Sequence, residues 1–141
     1  MLQSKRRLLL ADDHTELLGE IQQLVATHFD VVGTAGDGLT LVNMAKVLKP
    51  DVVVTDIRMP ELSGIDAACI ILREKTCKAV VLLTVYDDSR LIKSALDAGI
   101  LGYVLKATAG EELIPAIEEA LQGGVFVSRA IGPPTRWTKD V

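Results

Sequence analysis

Apolar residues in this chain gather into five short blocks, separated by longer stretches in which they recur every three or four positions. The blocks are Arg7-Leu-Leu-Leu-Ala-Asp12, Phe29-Asp-Val-Val-Gly-Thr-Ala35, Asp51-Val-Val-Val-Thr-Asp56, Lys78-Ala-Val-Val-Leu-Leu-Thr84 and Leu101-Gly-Tyr-Val-Leu-Lys106. Their length and their content of Val and Leu predict strands. Stripes such as Leu17, Ile21, Leu24 and His28, or Leu113, Ile117 and Leu121, predict five helices between and after them. Alternating strands and helices imply an α/β domain: a doubly wound parallel sheet whose right-handed crossovers place helices on both faces. The first, third and fourth blocks are nearly continuous apolar runs, as strands covered on both faces require, whereas Asp30 and Gly102 mark the second and fifth as edges. The expected five-stranded order is therefore 2-1-3-4-5, flavodoxin-like, with a ligand site at the carboxyl ends where the chain reverses between strands one and three.

Two features disturb this pattern. Pro115 lacks an N–H and crowds the carbonyl of Glu111, which predicts a late start or a kink in the last helix. After Gln122-Gly-Gly-Val-Phe-Val-Ser128 the periodicity is lost, and Gly132-Pro-Pro134 with a polar end predicts a linker or tail. The expected organisation is one domain over 1–128 and a tail over 129–141, with no effector domain.

Composition narrows the class. At 141 residues the chain fits one domain with one sizeable core. It is 49% hydrophobic, 24% charged and 4% aromatic, the profile of an aliphatic-cored soluble globule. A formal charge of −4 argues against direct nucleic-acid binding, which needs clustered Lys and Arg. Lys5-Arg6-Arg7 before Leu8-Leu9-Leu10 is too short for a signal peptide, because the apolar run ends at Ala11 and meets Asp12-Asp13. No apolar segment approaches a bilayer span, so no membrane partner and a cytoplasmic location are expected. Cys69 and Cys77 lack metal-ligand spacing and are read as reduced thiols.

The chemistry sits at the strand ends. Asp12 and Asp13 close the first block and Asp56 the third, so adjacent carboxyl ends bring three carboxylates into one patch. Any one of them alone is better explained as a turn residue or helix cap. Together they require a compensating cation, and a hard divalent ion such as Mg²⁺ suits oxygen ligands. Thr84 and Lys106 close the fourth and fifth blocks, adding a hydroxyl and an ammonium at the same end of the sheet.

Asp12, Asp13, Asp56, Thr84, Tyr103 and Lys106, in this order, resemble the receiver domain of two-component response regulators, the CheY-like superfamily, over about Arg7 to Ser128. The resemblance implies that Asp56 accepts a phosphoryl group from a sensor histidine kinase, and that the protein is a phosphoryl-accepting switch, not an enzyme. It implies that Asp13 holds Mg²⁺ with Asp56 and the backbone carbonyl of Arg58, and that Asp12 acts directly or through water. It further implies that Lys106 and Mg²⁺ neutralise the incoming charge, that Thr84 is drawn to the new oxygens, and that Tyr103 follows inward. The face of the fourth helix, fifth strand and fifth helix would then change, favouring another partner or a homodimer. Two departures stand out: Ala107 follows Lys106 where Pro is frequent, and Val85 after Thr84 is bulkier than the small residue common there, restricting access. With Ala11-Asp-Asp-His14 and Ala116-Ile-Glu-Glu-Ala-Leu-Gln-Gly-Gly124, the chain is similar to the branch fused to a LuxR/NarL-type helix-turn-helix domain. Transcriptional control would then act through a DNA-binding domain beyond these residues, the chain being either cut short or a natural single-domain protein.

Rival readings are weaker. A haloacid-dehalogenase-like phosphatase wants a second acid two residues after its nucleophile, where this chain has Arg58. A flavodoxin-like flavin module would set the flavin phosphate against Asp12-Asp13. Gly33-Thr-Ala-Gly-Asp-Gly38 lacks the dinucleotide order of glycines and the P-loop Lys, and is read as a turn entering the second helix. His14 and His28 are read as helix-end residues. A stand-alone, phosphorylation-independent interaction module is the remaining alternative.

Overall fold

The computed structural model describes residues 5–133. The elements follow the expected alternation: β1 (Arg7–Ala11), α1 (Thr15–Val25), β2 (Asp30–Ala35), α2 (Gly38–Leu48), β3 (Val52–Thr55), α3 (Gly64–Glu74), β4 (Ala79–Thr84), α4 (Ser89–Asp97), β5 (Gly102–Leu105), a 3₁₀ turn (Lys106–Thr108), α5 (Ala109–Leu121) and β6 (Phe126–Val127). The sheet is parallel throughout, in the order β2-β1-β3-β4-β5-β6.

Side chains of the central strands are buried throughout and alternate between the two faces of the sheet. Leu8 and Leu10, Val52 and Val54, and Ala79, Val81 and Leu83 pack toward α1 and α5. Leu9 and Ala11, Val53, and Val80 and Leu82 pack toward α2, α3 and α4. A strand covered on both faces needs no polar alternation, which is why these blocks read as continuous apolar runs.

The edge assignment of the fifth strand requires correction. Phe126 and Val127 pair with Gly102 and Tyr103, so β5 is internal and the sheet has a sixth, short strand. Two residues are too few for a periodicity to show. Their place is fixed instead by hydrogen bonds, from Phe126 N–H to the Leu101 carbonyl (2.9 Å) and from Ser128 N–H to the Tyr103 carbonyl (3.0 Å). Gly102 is small for a packing reason, since a Cβ there would press on the Val81 side chain.

Pro115 neither delays α5 nor ends it: the helix begins at Ala109 and runs through the proline. Pro115 and Glu111 are both exposed, so the carbonyl deprived of its N–H partner lies on the solvated side. The opposite face buries Leu113, Ala116, Ile117 and Ala120, which holds the helix together across the lost bond. Chain beyond Ser128 continues onto the domain, with Ile131 buried in the α2–α4 core cluster. The rest of the tail expected over 129–141 lies, from 134 onward, outside the described residues.

Candidate functional site

Strand register builds the site. Ala11 pairs with Thr55 in the β1–β3 ladder, so the next residues, Asp12 and Asp56, leave the sheet side by side. The ladder continues one step further through the Asp56 N–H, which donates to the Ala11 carbonyl (3.0 Å), while the Asp12 N–H donates to Ala35 (3.0 Å). In the β4–β5 ladder Thr84 pairs with Leu105, which sets Lys106 at the same edge. The loop after Asp56 is closed by Gly64, whose N–H donates to the Ile57 carbonyl (2.7 Å). A Cβ at Gly64 would land on the Asp56 carbonyl oxygen, so only glycine lets α3 start here.

Lys106 is the centre of the arrangement. Its Nζ lies 2.9 Å from Oδ2 of Asp12 and 2.9 Å from Oδ2 of Asp56. All three side chains are nearly buried, at 12%, 5% and 10% exposure. Burial alone would lower the Lys106 pKa, but the hydrogen bonds the ammonium donates to both carboxylates outweigh it and hold that pKa above its usual value. Burial pushes the Asp56 pKa up, and Lys106 only partly reverses this. The remaining Asp56 oxygen, Oδ1, accepts the Ile57 N–H at 2.7 Å.

Asp12 Oδ1 accepts the N–H of His14 (2.9 Å), where α1 begins. Ligand atoms of Asp12, Asp13 and His14 lie within 4.8 Å of one another, with Asp13 and His14 exposed. Asp56 is outside that trio and joins Asp12 through the shared ammonium. This is a different grouping from the expected Asp12, Asp13, Asp56 and Arg58 carbonyl. The donor chemistry nevertheless fits a hard divalent cation, since two buried carboxylates already face one positive charge and a third stands at the mouth.

On the other side, Thr84 is fully buried at the end of β4. Its hydroxyl oxygen accepts the N–H of Tyr86 (3.2 Å); among the described residues it donates to no partner. Tyr103 is buried too, and its hydroxyl donates to the Tyr86 carbonyl at 2.6 Å. Any inward move of Tyr103 on phosphorylation would thus start from a ring already inside. Burial, with Asp88, Asp87 and Asp56 nearby, raises the Tyr103 pKa well above the usual phenol range, so this hydroxyl stays a donor. The Arg58 guanidinium lies 5.0 Å from the centre of the Tyr86 ring, within cation–π range. Val85 is 65% exposed beside Thr84.

Tyr86 was not singled out by the sequence, and neither were Glu112 and Ser128, which anchor the Lys106 turn from below. Glu112 Oε1 accepts the hydroxyls of Thr108 (2.5 Å) and Ser128 (2.6 Å), and Oε2 accepts the Arg129 N–H (3.0 Å). The available signal was a Thr and a Glu four residues apart at a helix start, a spacing that puts two side chains on one face. Ser128 carried none. Of the remaining residues considered, Cys77 is a half-buried free thiol that donates to the Ala79 carbonyl, its pKa pushed up to about 11 by burial. Asp37 caps α2 through Thr40, consistent with a turn into that helix.

A parallel α/β domain whose switch point carries paired acids neutralised by a lysine defines a signalling receiver. The chain belongs to the response-regulator receiver family: residues 8–118 match the model described as response regulator receiver domain. It is 36% identical over 129 residues to the transcriptional regulatory protein MctR of Rhizobium johnstonii, covering 90% of this chain and 60% of that protein. It is 38% identical over 117 residues to PdtaR of Mycobacterium tuberculosis, covering 82% of this chain and 57% of that one. The chain thus spans about three fifths of the length of these relatives. Among solved structures it resembles a LuxR-family two-component response regulator from Aurantimonas (TM-score 0.84, 30% identity, 91% of this chain and 93% of that one). It also resembles the receiver domain of NarL from Mycobacterium tuberculosis (TM-score 0.80, 27% identity, 86% and 99%). Receivers of this family are signalling switches. No described helix is long and apolar enough to cross a membrane.

Proposed function

We propose that this domain accepts a phosphoryl group on Asp56 from a sensor histidine kinase and passes the change to the α4–β5–α5 face. The observation that carries the reading is Lys106 Nζ, 2.9 Å from both Asp12 and Asp56. A carboxylate nucleophile near two other acids must stay ionised while an anionic phosphoryl group approaches. Lys106 does both tasks: it stabilises ionised Asp56 and presents positive charge to the incoming oxygens. Raised basicity from burial makes Asp56 the better nucleophile. An Asp56 oxygen attacks phosphorus, forming an acyl phosphate. The bond from phosphorus to the donor's histidine nitrogen breaks, and its electron pair leaves with that nitrogen, which takes up a proton.

Mg²⁺ held by Asp12, Asp13 and Asp56, with the Arg58 carbonyl completing the set, would supply further neutralisation of the transferred oxygens. Thr84 has a hydroxyl proton to offer a phosphoryl oxygen. Taking up that partner would loosen its bond from Tyr86, whose carbonyl also holds Tyr103. Tyr103 shares a core cluster with Ile92 and Ala95 of α4, so a shift of Tyr86 reaches the α4 face through packing. The names of the relatives support transcriptional output, which would act through a DNA-binding domain joined to the receiver, and phosphorylation would favour a homodimer.

Incubation with Mg²⁺ and acetyl phosphate, followed by intact mass, tests the reading. Wild type is expected to gain one labile phosphoryl group and Asp56→Asn none. Equal gain in both would remove Asp56 as acceptor. No gain in wild type, with the cognate kinase also failing, would leave a phosphorylation-independent interaction module as the better description.

A further inference from the structure

Lys106 is attached to the fold between two residues that lead to one buried carboxylate. On its N-terminal side, the Leu105 N–H donates to Ser128 Oγ (2.8 Å), and Ser128 Oγ donates to Glu112 Oε1 (2.6 Å). On its C-terminal side, the Thr108 hydroxyl donates to the same Oε1 (2.5 Å). The other Glu112 oxygen takes the Arg129 N–H (3.0 Å). Glu112 is 7% exposed and Ser128 fully buried. Every hydrogen bond here involves a charged or backbone group in a dry setting, where loss of one partner is felt by the rest.

We propose that Glu112 is a positioning residue that couples the segment Ser128–Ile131 to the Lys106 ammonium at the acceptor site. Glu112 touches no reacting atom and acts through the backbone that carries Lys106. The coupling runs both ways: a group that redraws Lys106 at Asp56 biases the hold on Arg129, and tension on the segment after Arg129 loosens Lys106. The segment beyond β6 therefore reports on the site through hydrogen bonds that do not involve the hydroxyl of Thr84 or of Tyr103. Part of this rests on the phosphoryl-acceptor reading, but the coupling of Glu112 to Lys106 is a property of the fold.

The test uses the full chain with Glu112→Gln, which keeps shape but replaces an acceptor oxygen by a donor NH₂. Ile117→Val, in the same helix and away from the network, serves as the control for modest destabilisation. Three quantities are read: the rate of acetyl phosphate labelling with Mg²⁺, the NMR shift of the Lys106 side-chain methylene next to Nζ, and amide exchange at Arg129 with and without Mg²⁺ and beryllofluoride. Glu112→Gln is expected to slow labelling about tenfold, the scale of one lost charge-assisted hydrogen bond, and to displace the Lys106 resonance. It should also abolish the beryllofluoride response at Arg129, while Ile117→Val leaves all three near wild type. An unmoved Lys106 resonance in Glu112→Gln overturns the proposal, as does equal slowing in Ile117→Val. If wild type is not labelled at all, the acceptor reading falls, and the Lys106 resonance alone decides the coupling.

Discussion

Two corners of the same sheet edge are built differently. At the β1–β3 corner, Asp12 and Asp56 share one ammonium, and Asp56 has a partner on each oxygen. At the β4 corner, Thr84 and Tyr103 are held by the N–H and carbonyl of a single residue, Tyr86, which lies on a loop between β4 and α4. The first corner is preorganised by strand register and charge. The second is held by neutral hydrogen bonds that can be exchanged for others at low cost, since such bonds contribute about 1 kcal/mol net. A site that must do chemistry and then report it needs both: fixed charges where the group lands, and a replaceable contact where the news departs.

The sharpest way to break this contrast is to remove the charge at the first corner. Lys106→Met keeps the length of the side chain and leaves two buried carboxylates without their cation. Unpaired buried charge costs about 3–5 kcal/mol, and the loss of a positive group aimed at a developing phosphoryl charge costs about 10²–10³ in rate. Urea unfolding should show a large stability loss at neutral pH, and acetyl phosphate labelling should nearly vanish. Labelling within a factor of a few of wild type would show that Lys106 only balances the resting acids.

Neutral changes at the second corner should do less and do it elsewhere. Thr84→Val leaves the Tyr86 N–H without its acceptor, a cost of about 1–3 kcal/mol where water cannot replace it. Tyr103→Phe removes one hydroxyl and leaves the Tyr86 carbonyl short of a donor, at about 1 kcal/mol. Both proteins should still be labelled on Asp56. Amide shifts on α4 induced by Mg²⁺ and beryllofluoride should shrink in each. If Thr84→Val instead loses labelling as completely as Lys106→Met, the two corners are one unit and the contrast fails.

The legibility of the two corners from sequence differs for the same reason. Asp12, Asp56 and Lys106 end strands, so the apolar blocks that predicted β1, β3 and β5 also placed their carboxylates and ammonium. Tyr86 lies on a loop with no periodicity, and its role is carried by backbone N–H and C=O groups that every residue possesses. Phe126-Val127 is a strand too short to show a periodicity, so Gly102 alone makes β5 read as an edge. Pro115 predicts a late start of α5 by a local rule visible in sequence, whereas the buried face that lets the helix begin at Ala109 and continue past it is tertiary. Ser128 stands at the expected end of the domain, and nothing in the sequence marks its buried hydroxyl, which bonds Glu112 beside the Arg129 N–H.

The smallest effect separates two acids with opposite environments. The hydroxyls of Ser128 and Thr108 and the N–H and charge of Arg129 overcome the burial of Glu112 and hold its pKa below the ordinary glutamate value of 4.5. Its ionised form therefore stabilises the fold above that value, and the benefit is lost as pH falls through the depressed folded value. Asp56 has the opposite sign: burial raises its pKa above 3.8 despite Lys106. Ionised Asp56 therefore weighs against folding near neutrality, and the penalty is relieved as pH falls from the raised folded value toward 3.8. Thermal unfolding from about pH 7 to about pH 3 should show Asp56→Asn more stable than wild type at neutral pH, with the gap closing on acidification before the acid limb is reached. Glu112→Gln should be less stable than wild type at neutral pH, with its gap closing only below pH 4.5. Were Asp56→Asn to be the less stable protein at pH 7, the ion pair with Lys106 would outweigh the burial of Asp56, and the acceptor corner would rest on attraction where the present geometry has it held under electrostatic stress.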